Sequence, residues 1–378
     1  MPQLVVLAEQ LLAPVPGGTG RYTRELLTAL AAHAPEGWTV SSAVAKHSDP
    51  SPAVLPGVDG PRVLKLGPKI LAAAWQRGFS FWPGGDAVHA TTPLAPPGPK
   101  RGRSLVVTVH DTVPWTHPET LTKHGVAWHR AMISRAAERA SAIVVPTNAV
   151  AAELTQHAPG TARVHVIGHG VPKALTEPFD EEGAGRIRRR LGLPAQFVLA
   201  IGTVEPRKGL DVLIEAMARP TAPELPLVVV GQPGWGGVNL SSLAANRGLP
   251  ADRLLVLGKV TDAELAVVLR AASVLVVPSL AEGFGLPLLE GMAVGVPVVY
   301  SDAPALIEVA GGTGVMVRRN DSAQLANALR NVFADPARTE VRVAAAAARA
   351  AKFSWAGTAR SVWNIHLELY QASRVSML

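Results

Sequence analysis

The sequence predicts an α/β protein made of two Rossmann-like domains. Three observations carry that expectation. The chain of 378 residues is longer than one average domain and suits two of ordinary size. Short apolar runs, L-V-V-L-A at residues 4–8 and Phe197 to Ile201, read as buried strands, and each leads into a glycine-bearing loop and then a helical pattern. That rhythm of strand, turn and helix recurs through both halves, as a parallel sheet with crossover helices requires.

Composition narrows the class. Hydrophobic residues make up 48% of the chain and charged residues 17%, enough apolar matter for two cores. No apolar run reaches the ~18 residues that a membrane-spanning helix needs. The opening M-P-Q-L-V-V-L-A-E-Q has no basic region or cleavage site and reads as a first buried strand, so the expected location is cytoplasmic. With no cysteine, disulfides, thiolate zinc sites and a cysteine nucleophile are excluded. The net charge of +7 attracts anions, whether nucleoside diphosphates or acidic lipid surfaces. Nucleic acid is not expected as a partner, because no helix-turn-helix, RRM or Lys/Arg block is present.

In the first half, Gly17, Gly18, Thr19 and Gly20 read as a turn, with a helix starting at Arg21. A dinucleotide fingerprint fails there, since the glycines do not fit G-x-G-x-x-G and no acid closes the next strand near Val40. Residues 47–64 read as loop from their Pro, Ser and Gly content. Lys65 to Trp82 mixes basic and aromatic residues on a helical pattern, more in keeping with core than with a membrane or acceptor surface. Ser104 to Val109 is a strand, and His110 and Asp111 stand at its carboxyl end, where open α/β sheets bind ligands. A basic amphipathic helix is expected over Val126 to Ala140. Ten of the eleven histidines precede Val171, but their spacing matches no metal motif. Lys173 to Gly185 reads as the interdomain linker.

In the second half, strand Phe197 to Ile201 opens into the loop Gly202 to Gly209, which carries Arg207 and Lys208. Adjacent cations on a βα loop suit a diphosphate, because Arg binds two oxygens at once and Lys adds a compact charge. Strands at 227–230 and 254–257 follow, then Lys259 and Val260 before a capping box at Thr261 and Glu264. The run P-S-L-A-E-G-F-G-L-P-L-L-E-G-M-A-V-G-V-P-V-V-Y-S, from Pro278 to Ser301, organises the rest. Gly283 and Gly285 admit a ligand close to the backbone, and a helix from about Leu286 to Val294 points its positive end at the same space. Glu282 and Glu290 supply acceptors for hydroxyls. A sugar nucleotide has that layout.

This run closely resembles the donor-site signature of the retaining GT-B glycosyltransferases of glycosyltransferase family 4, two glutamates with seven residues between them in E-G-F-G-L-P…E-x-M-A-x-G-x-P-V-V. The G-x-x-E-P-R-K-G-L wording at 202–210 resembles the second family signature. The resemblance covers nearly the whole chain, most tightly residues 197–310. It implies a GT-B fold, with two Rossmann-like domains facing a central cleft: 1–170 for the acceptor, 171–355 for the nucleotide sugar, and a helix at 356–378 crossing back to the first domain. It further implies that Arg207 and Lys208 neutralise the leaving diphosphate and that Glu282 binds donor hydroxyls. Glu290 would bind the ribose, Lys259 and Val260 would border the base, and Gly17, Gly18, Arg21, Gly202, Gly283, Phe284, Gly285 and Leu286 would line the donor. The H-D-x-x-P wording is similar to a mannosyltransferase-like subset, in which His110 meets the transferring sugar and Asp111 orients it or meets the acceptor.

The implied reaction is hexose transfer with retention, best fitted by GDP-mannose, onto a glycan, lipid-linked or small-molecule hydroxyl. A UDP-sugar transferase is the alternative, as is a non-catalytic sugar-nucleotide binder on the same fold; an epimerase or phosphorylase fits less well. No cofactor and no metal are expected, since no D-x-D-type acid pair stands in the cleft segments. High Ala, Pro and Arg content fits cell-envelope glycan assembly in a GC-rich bacterium, with peripheral contact between the basic first domain and the inner face of the plasma membrane.

Overall fold

The computed structural model describes residues 1–178 and 180–375. Phe179 and residues 376–378, which fall in the expected linker and final helix, lie outside them. The chain forms two compact units, Met1–Pro118 with Thr122–Gly170 and Ser354–Leu378, and Glu119–Leu121 with Val171–Phe353.

The first unit holds seven strands: β1 (Gln3–Leu7), β2 (Thr39–Val44), β3 (Asp59–Val63), β4 (Ala87–Ala90), β5 (Ser104–Thr108), β6 (Ala142–Val145) and β7 (Arg163–Val166). They pair in parallel in the order β3-β2-β1-β4-β5-β6-β7. Central strands of such a sheet are covered on both faces, which explains why β4 and β5 are buried at every position. Strand order reverses between β1 and β4, so the loops after Leu7 and Ala90 flank the place where ligands settle in open α/β sheets.

Two expectations for this unit need correction. Gly17 to Gly20 is not a turn before a helix but the first turn of the helix Gly17–Ala32, whose Tyr22, Leu26, Leu27 and Leu30 are buried. Burial of that stripe outweighs the poor helix propensity of three glycines, ~1 kcal/mol each. The stretch 47–64 contains a strand, β3, at the sheet edge; its D-G-P-R-V sequence is mostly exposed and so lacks the alternation that marks a half-buried strand. Lys65 to Trp82 divides. Leu71 and Trp75 of the helix Pro68–Gln76 enter the core, whereas Ile70, Phe79 and Phe81 stay exposed.

The helix Trp355–Val375 belongs to the first unit. Its Trp363 Nε1 donates to Leu30 O at 3.0 Å, and its Thr358 Oγ1 donates to Gly168 O at 2.7 Å. Trp363 and Tyr370 pack edge-on against Trp38 at 5.4 and 5.0 Å. His366 of this helix also meets His89 of β4, Nε2 to Nδ1, at 3.2 Å. Behind that pair, His89 Nε2 lies 2.9 Å from Thr108 Oγ1, which lies 3.1 Å from the Tyr22 hydroxyl.

The second unit holds β8 (Val198–Ile201), β9 (Leu227–Val230), β10 (Leu254–Gly258), β11 (Val274–Val277), β12 (Val298–Ser301) and β13 (Val315–Val317). All pair in parallel, in the order β10-β9-β8-β11-β12-β13, so its reversal falls between β8 and β11. The capping box forms as expected, with Thr261 N on Glu264 Oε2 at 2.6 Å and Glu264 N on Thr261 Oγ1 at 3.2 Å. The expected linker is largely structured. Asp180 caps the helix Glu181–Arg190 through Glu182 N and Gly183 N, and Arg270 Nη2 holds the carbonyls of Leu175 and Glu177 at 2.8 and 2.7 Å. Acids in the first turn of that helix and arginines in the last complement its dipole, so a polar run that reads as linker is a surface helix.

Candidate active site

The two loops that leave β8 and β11 meet at the strand-order reversal of the second unit. Gly209 makes the meeting possible. Its φ of +63° is left-handed, and a Cβ there would lie 2.2 Å from Pro278 O. Leu280 N donates to Arg207 O at 2.8 Å, which ties one loop to the other. Gly209→Ala is therefore expected to part the loops at a backbone cost of about 1–2 kcal/mol. Differential scanning calorimetry should show a lower melting temperature, and calorimetric titration a nucleotide affinity at least about tenfold weaker.

This contact gathers four charged side chains. Lys208 Nζ lies 2.6 Å from Glu282 Oε1, and Arg207 Nη1 lies 3.4 Å from Glu282 Oε2 and 2.9 Å from Ala281 O. Arg207 Nη2 also binds Glu205 Oε1 at 2.7 Å. Glu282 is the most enclosed, with 8% of its side chain exposed against 15% for Lys208 and 18% for Arg207. Burial opposes its charge, but Lys208 and Arg207, with hydrogen bonds from Lys208 and Ser279, outweigh that and hold its carboxyl down at about 2. Its contribution to stability is thus present above the ordinary carboxylate range and lost as pH falls towards 2.

Residues not singled out in the sequence fix this geometry. Ser279 Oγ donates to Glu282 Oε1 at 2.7 Å, and Ser301 Oγ, at the end of β12, donates to Ser279 O at 2.5 Å. Arg319 Nε binds Asp302 Oδ1 at 2.9 Å and its Nη1 reaches Leu280 O at 3.2 Å. The only local signal was Ser279 three residues before Glu282. The rest depends on which strands are neighbours.

The other predicted donor residues of this unit stand around the cluster at differing removes. Gly202 lies under the aliphatic stem of Lys208, 3.5 Å from where a Cβ would sit. Gly285, at φ +92°, opens the helix Leu286–Ala293; a Cβ would lie 2.3 Å from Leu306 Cδ2, so glycine is needed there too. That helix directs its positive end to the loop containing Gly283 and Phe284. Phe284 and Leu286 are buried, the former edge-on to Phe353 at 5.8 Å. Glu290 is fully buried in the second turn. Lys259 and Val260 follow β10, two strands from β8 or about 10 Å along the sheet; Lys259 is exposed.

In the first unit, His110 follows β5 and Asp111 follows it. His110 Nε2 lies 2.8 Å from Thr91 O. A carbonyl only accepts, so Nε2 carries the proton and Nδ1 offers a lone pair. Burial lowers the His110 pKa, against the Thr91 bond and the Asp111 charge that raise it. Its ring stands edge-on to Tyr22 at 4.6 Å. Thr91 is itself held, its Oγ1 donating to Leu7 O at 2.9 Å and receiving Thr23 Oγ1 at 3.0 Å. Asp111 Oδ1 accepts Val113 N at 3.2 Å. Gly17 and Gly18 are exposed at the helix start and Arg21 is half-buried one turn on. Among the described residues, no group of three or more His, Asp or Glu side chains is arranged to hold a metal ion.

Two parallel-sheet units, with paired cations and an acid where strand order reverses in the second, define an α/β protein of the Rossmann-like class. The family described as "Glycosyltransferase Family 4" matches residues 16–175, and "Glycosyl transferases group 1" matches residues 185–350. The chain is 30% identical over 267 residues to O-antigen chain mannosyltransferase B of Escherichia coli, covering 68% of each. It is 37% identical over 228 residues to the D-inositol 3-phosphate glycosyltransferase of Stackebrandtia nassauensis, covering 57% of this chain and 51% of the relative, so the match spans about half of that protein's length. Among solved structures, a sucrose-phosphate synthase from Thermosynechococcus elongatus has the same fold, with a TM-score of 0.75 at 24% identity over 98% of this chain and 100% of that one. HepE from Anabaena, solved with UDP and glucose, gives a TM-score of 0.73 at 21% identity over 100% of both. The chain belongs to glycosyltransferase family 4 and has the GT-B fold.

Proposed function

We propose that this protein transfers a hexose from a nucleoside diphosphate, with retention at the anomeric carbon, onto a hydroxyl of a glycan, a lipid-linked glycan or a small molecule. The observation that carries this reading is the contact of Arg207, Lys208 and Glu282 beside the N-terminus of the helix Leu286–Ala293. Before the donor arrives, Glu205 and Glu282 neutralise the two cations. A bound diphosphate takes over as their partner, so Arg207 and Lys208 stabilise the charge that grows on the leaving group. Glu282 is then released to accept hydrogen bonds from the sugar. No metal ion is required for that division of labour, and no side chain is assigned as a nucleophile; the leaving phosphate oxygen takes the acceptor proton. His110 offers Nδ1 to a sugar hydroxyl.

GDP-mannose is the preferred donor, supported by H-D-x-x-P at 110–114 and by the mannosyltransferase named among the relatives. UDP-sugars are the second reading, favoured by the UDP complexes of HepE. A thermal-shift series decides between them. GDP at ~100 times its dissociation constant should stabilise the chain by about 2.7 kcal/mol, and UDP and ADP at the same concentration by clearly less. Stabilisation by none of the three would overturn the reading, and a larger shift with UDP would reassign the donor.

A further inference from the structure

The His110 side chain makes a hydrogen bond from Nε2 to Thr91 O at 2.8 Å. That bond fixes where Nε2 points. It leaves the plane of the ring to its neighbours, because the last torsion of an aromatic side chain has a broad minimum. Two buried rings supply the walls. Tyr22 stands edge-on at 4.6 Å, and His169 lies at 6.1 Å with its plane 67° from that of His110. The walls also touch each other, Tyr22 to His169 at 4.6 Å. Nothing local in the sequence couples either to His110, since Tyr22 lies in the helix Gly17–Ala32 and His169 follows β7.

Both walls are braced from the helix Trp355–Val375, by separate routes. In the first, Trp355 stacks on His169 at 5.7 Å with the planes 10° apart, and its ring lies 5.9 Å from that of Tyr22. Thr358 Oγ1 donates to Gly168 O, and Gly170 has no room for a side chain, since a Cβ there would run into Trp355 N. His169 is thus pinned between two residues that the helix holds. In the second route, His366 meets His89 at 3.2 Å, His89 Nε2 meets Thr108 Oγ1 at 2.9 Å, and Thr108 Oγ1 meets the Tyr22 hydroxyl at 3.1 Å. Thr108 ends β5, two residues before His110. Burying so many polar groups costs desolvation that an apolar lining would avoid, so close packing alone does not account for them.

We infer that Tyr22 and His169 are positioning residues for the transfer: they fix the plane of the His110 ring so that Nδ1 is offered to the transferring sugar, and the helix Trp355–Val375 sets them both. This role rests on His110 meeting the sugar as proposed. Burial keeps His169 and His110 below the ordinary histidine value, so at neutral pH the two rings meet without charge. Both residues act through His110. Their effect belongs in kcat rather than in the KM for donor, because the diphosphate is bound by Arg207 and Lys208 of the second unit.

Proton–nitrogen NMR of the histidine-labelled full chain, beside initial rates, tests this. In the native chain at neutral pH the His110 imidazole should be a single Nε2–H tautomer. His169→Ala should mix the tautomers and lower kcat about tenfold, with donor KM within about twofold, as a small misplacement of an interacting group does. His169→Phe sets a flat ring against Trp355 again and should restore the single tautomer and most of kcat. A side chain that only filled space would lower the melting temperature of the alanine variant and leave tautomer and kcat unmoved; that result overturns the inference. If His169→Ala does not fold, Tyr22→Phe keeps the ring and removes only the bond to Thr108. A loss of about threefold in kcat at constant KM is then expected, and unchanged kcat overturns the inference. The tautomer is read without donor or turnover, so a chain that shows these tautomer changes but transfers no sugar would refute the transferase reading alone.

Discussion

Lys208→Ala is expected to lower kcat/KM by about a thousandfold, the upper end of what one donor to a developing negative charge is worth. Two effects combine. The diphosphate loses its compact cation, and Glu282 loses the nearer of its two counter-charges, 2.6 Å away. With Arg207 alone beside it at 3.4 Å, the Glu282 carboxyl should rise from about 2 towards its ordinary range. Breaking a fully buried pair costs ~3–5 kcal/mol. Residual exposure and the remaining arginine reduce that here to about 1–3 kcal/mol, well within what the second unit can lose and still fold. Glu282→Ala should be similarly inactive, whereas Lys208→Arg should restore part of the nucleotide affinity. Initial rates with a labelled donor, beside far-UV circular dichroism melts, give both quantities. Near-normal turnover by either alanine variant would remove the cluster from the mechanism.

The second large effect is on stability against pH, and it falls on the first unit. His89, His110, His169 and His366 all have depressed pKa values, His89 to about 3, with burial the leading cause in each. Neighbouring histidines push three of them further: His110 acts on His89 and His169, and His89 acts on His366. Unfolded histidine takes up its proton near 6.5, so below that pH the unfolded chain binds protons that the folded chain refuses. Stability therefore falls as pH drops from about 6.5 towards 3. His89 alone accounts for about 2 kcal/mol between pH 7 and pH 5, and the other three add loss of the same sign. Amides of β4 and β5 should lose hydrogen-exchange protection over that range, while those of β9 and β11 keep theirs. Substituting His366 by Gln should flatten the dependence. A pH-independent first unit would show that the histidines are charged or solvated where they stand.

Legibility differed between the two units for physical reasons. The second could be read closely because its candidate site residues sit on short loops directly after apolar strands, with each loop's chemistry contiguous in sequence. The Arg207-Lys208 pair and the Glu282–Glu290 run needed only the parallel pairing of β8 with β11 to bring cations and acid together. What supports them was not legible. Ser301 and Arg319 reach the site only because β12 and the segment after β13 lie on the far side of β11. Glu205 reads as part of a turn until its carboxylate is seen on Arg207. In the first unit, local sequence misled wherever tertiary contacts, side-chain burial in one case and strand pairing in the other, overrode propensity. Gly17 to Gly20 became helix because of Tyr22 and the leucines beyond it, and β3 formed on backbone pairing with β2 rather than on apolar alternation. His110 could be placed at a strand end, but its partner Thr91 follows a different strand.

The helix Trp355–Val375 closes the first unit, yet the whole of residues 171–353 is synthesised before it. While residues 171–353 are being made, the first unit still lacks the partners of Leu30, Trp38 and His89. The first unit therefore gains its last buried contacts only after the whole chain of the second has been translated.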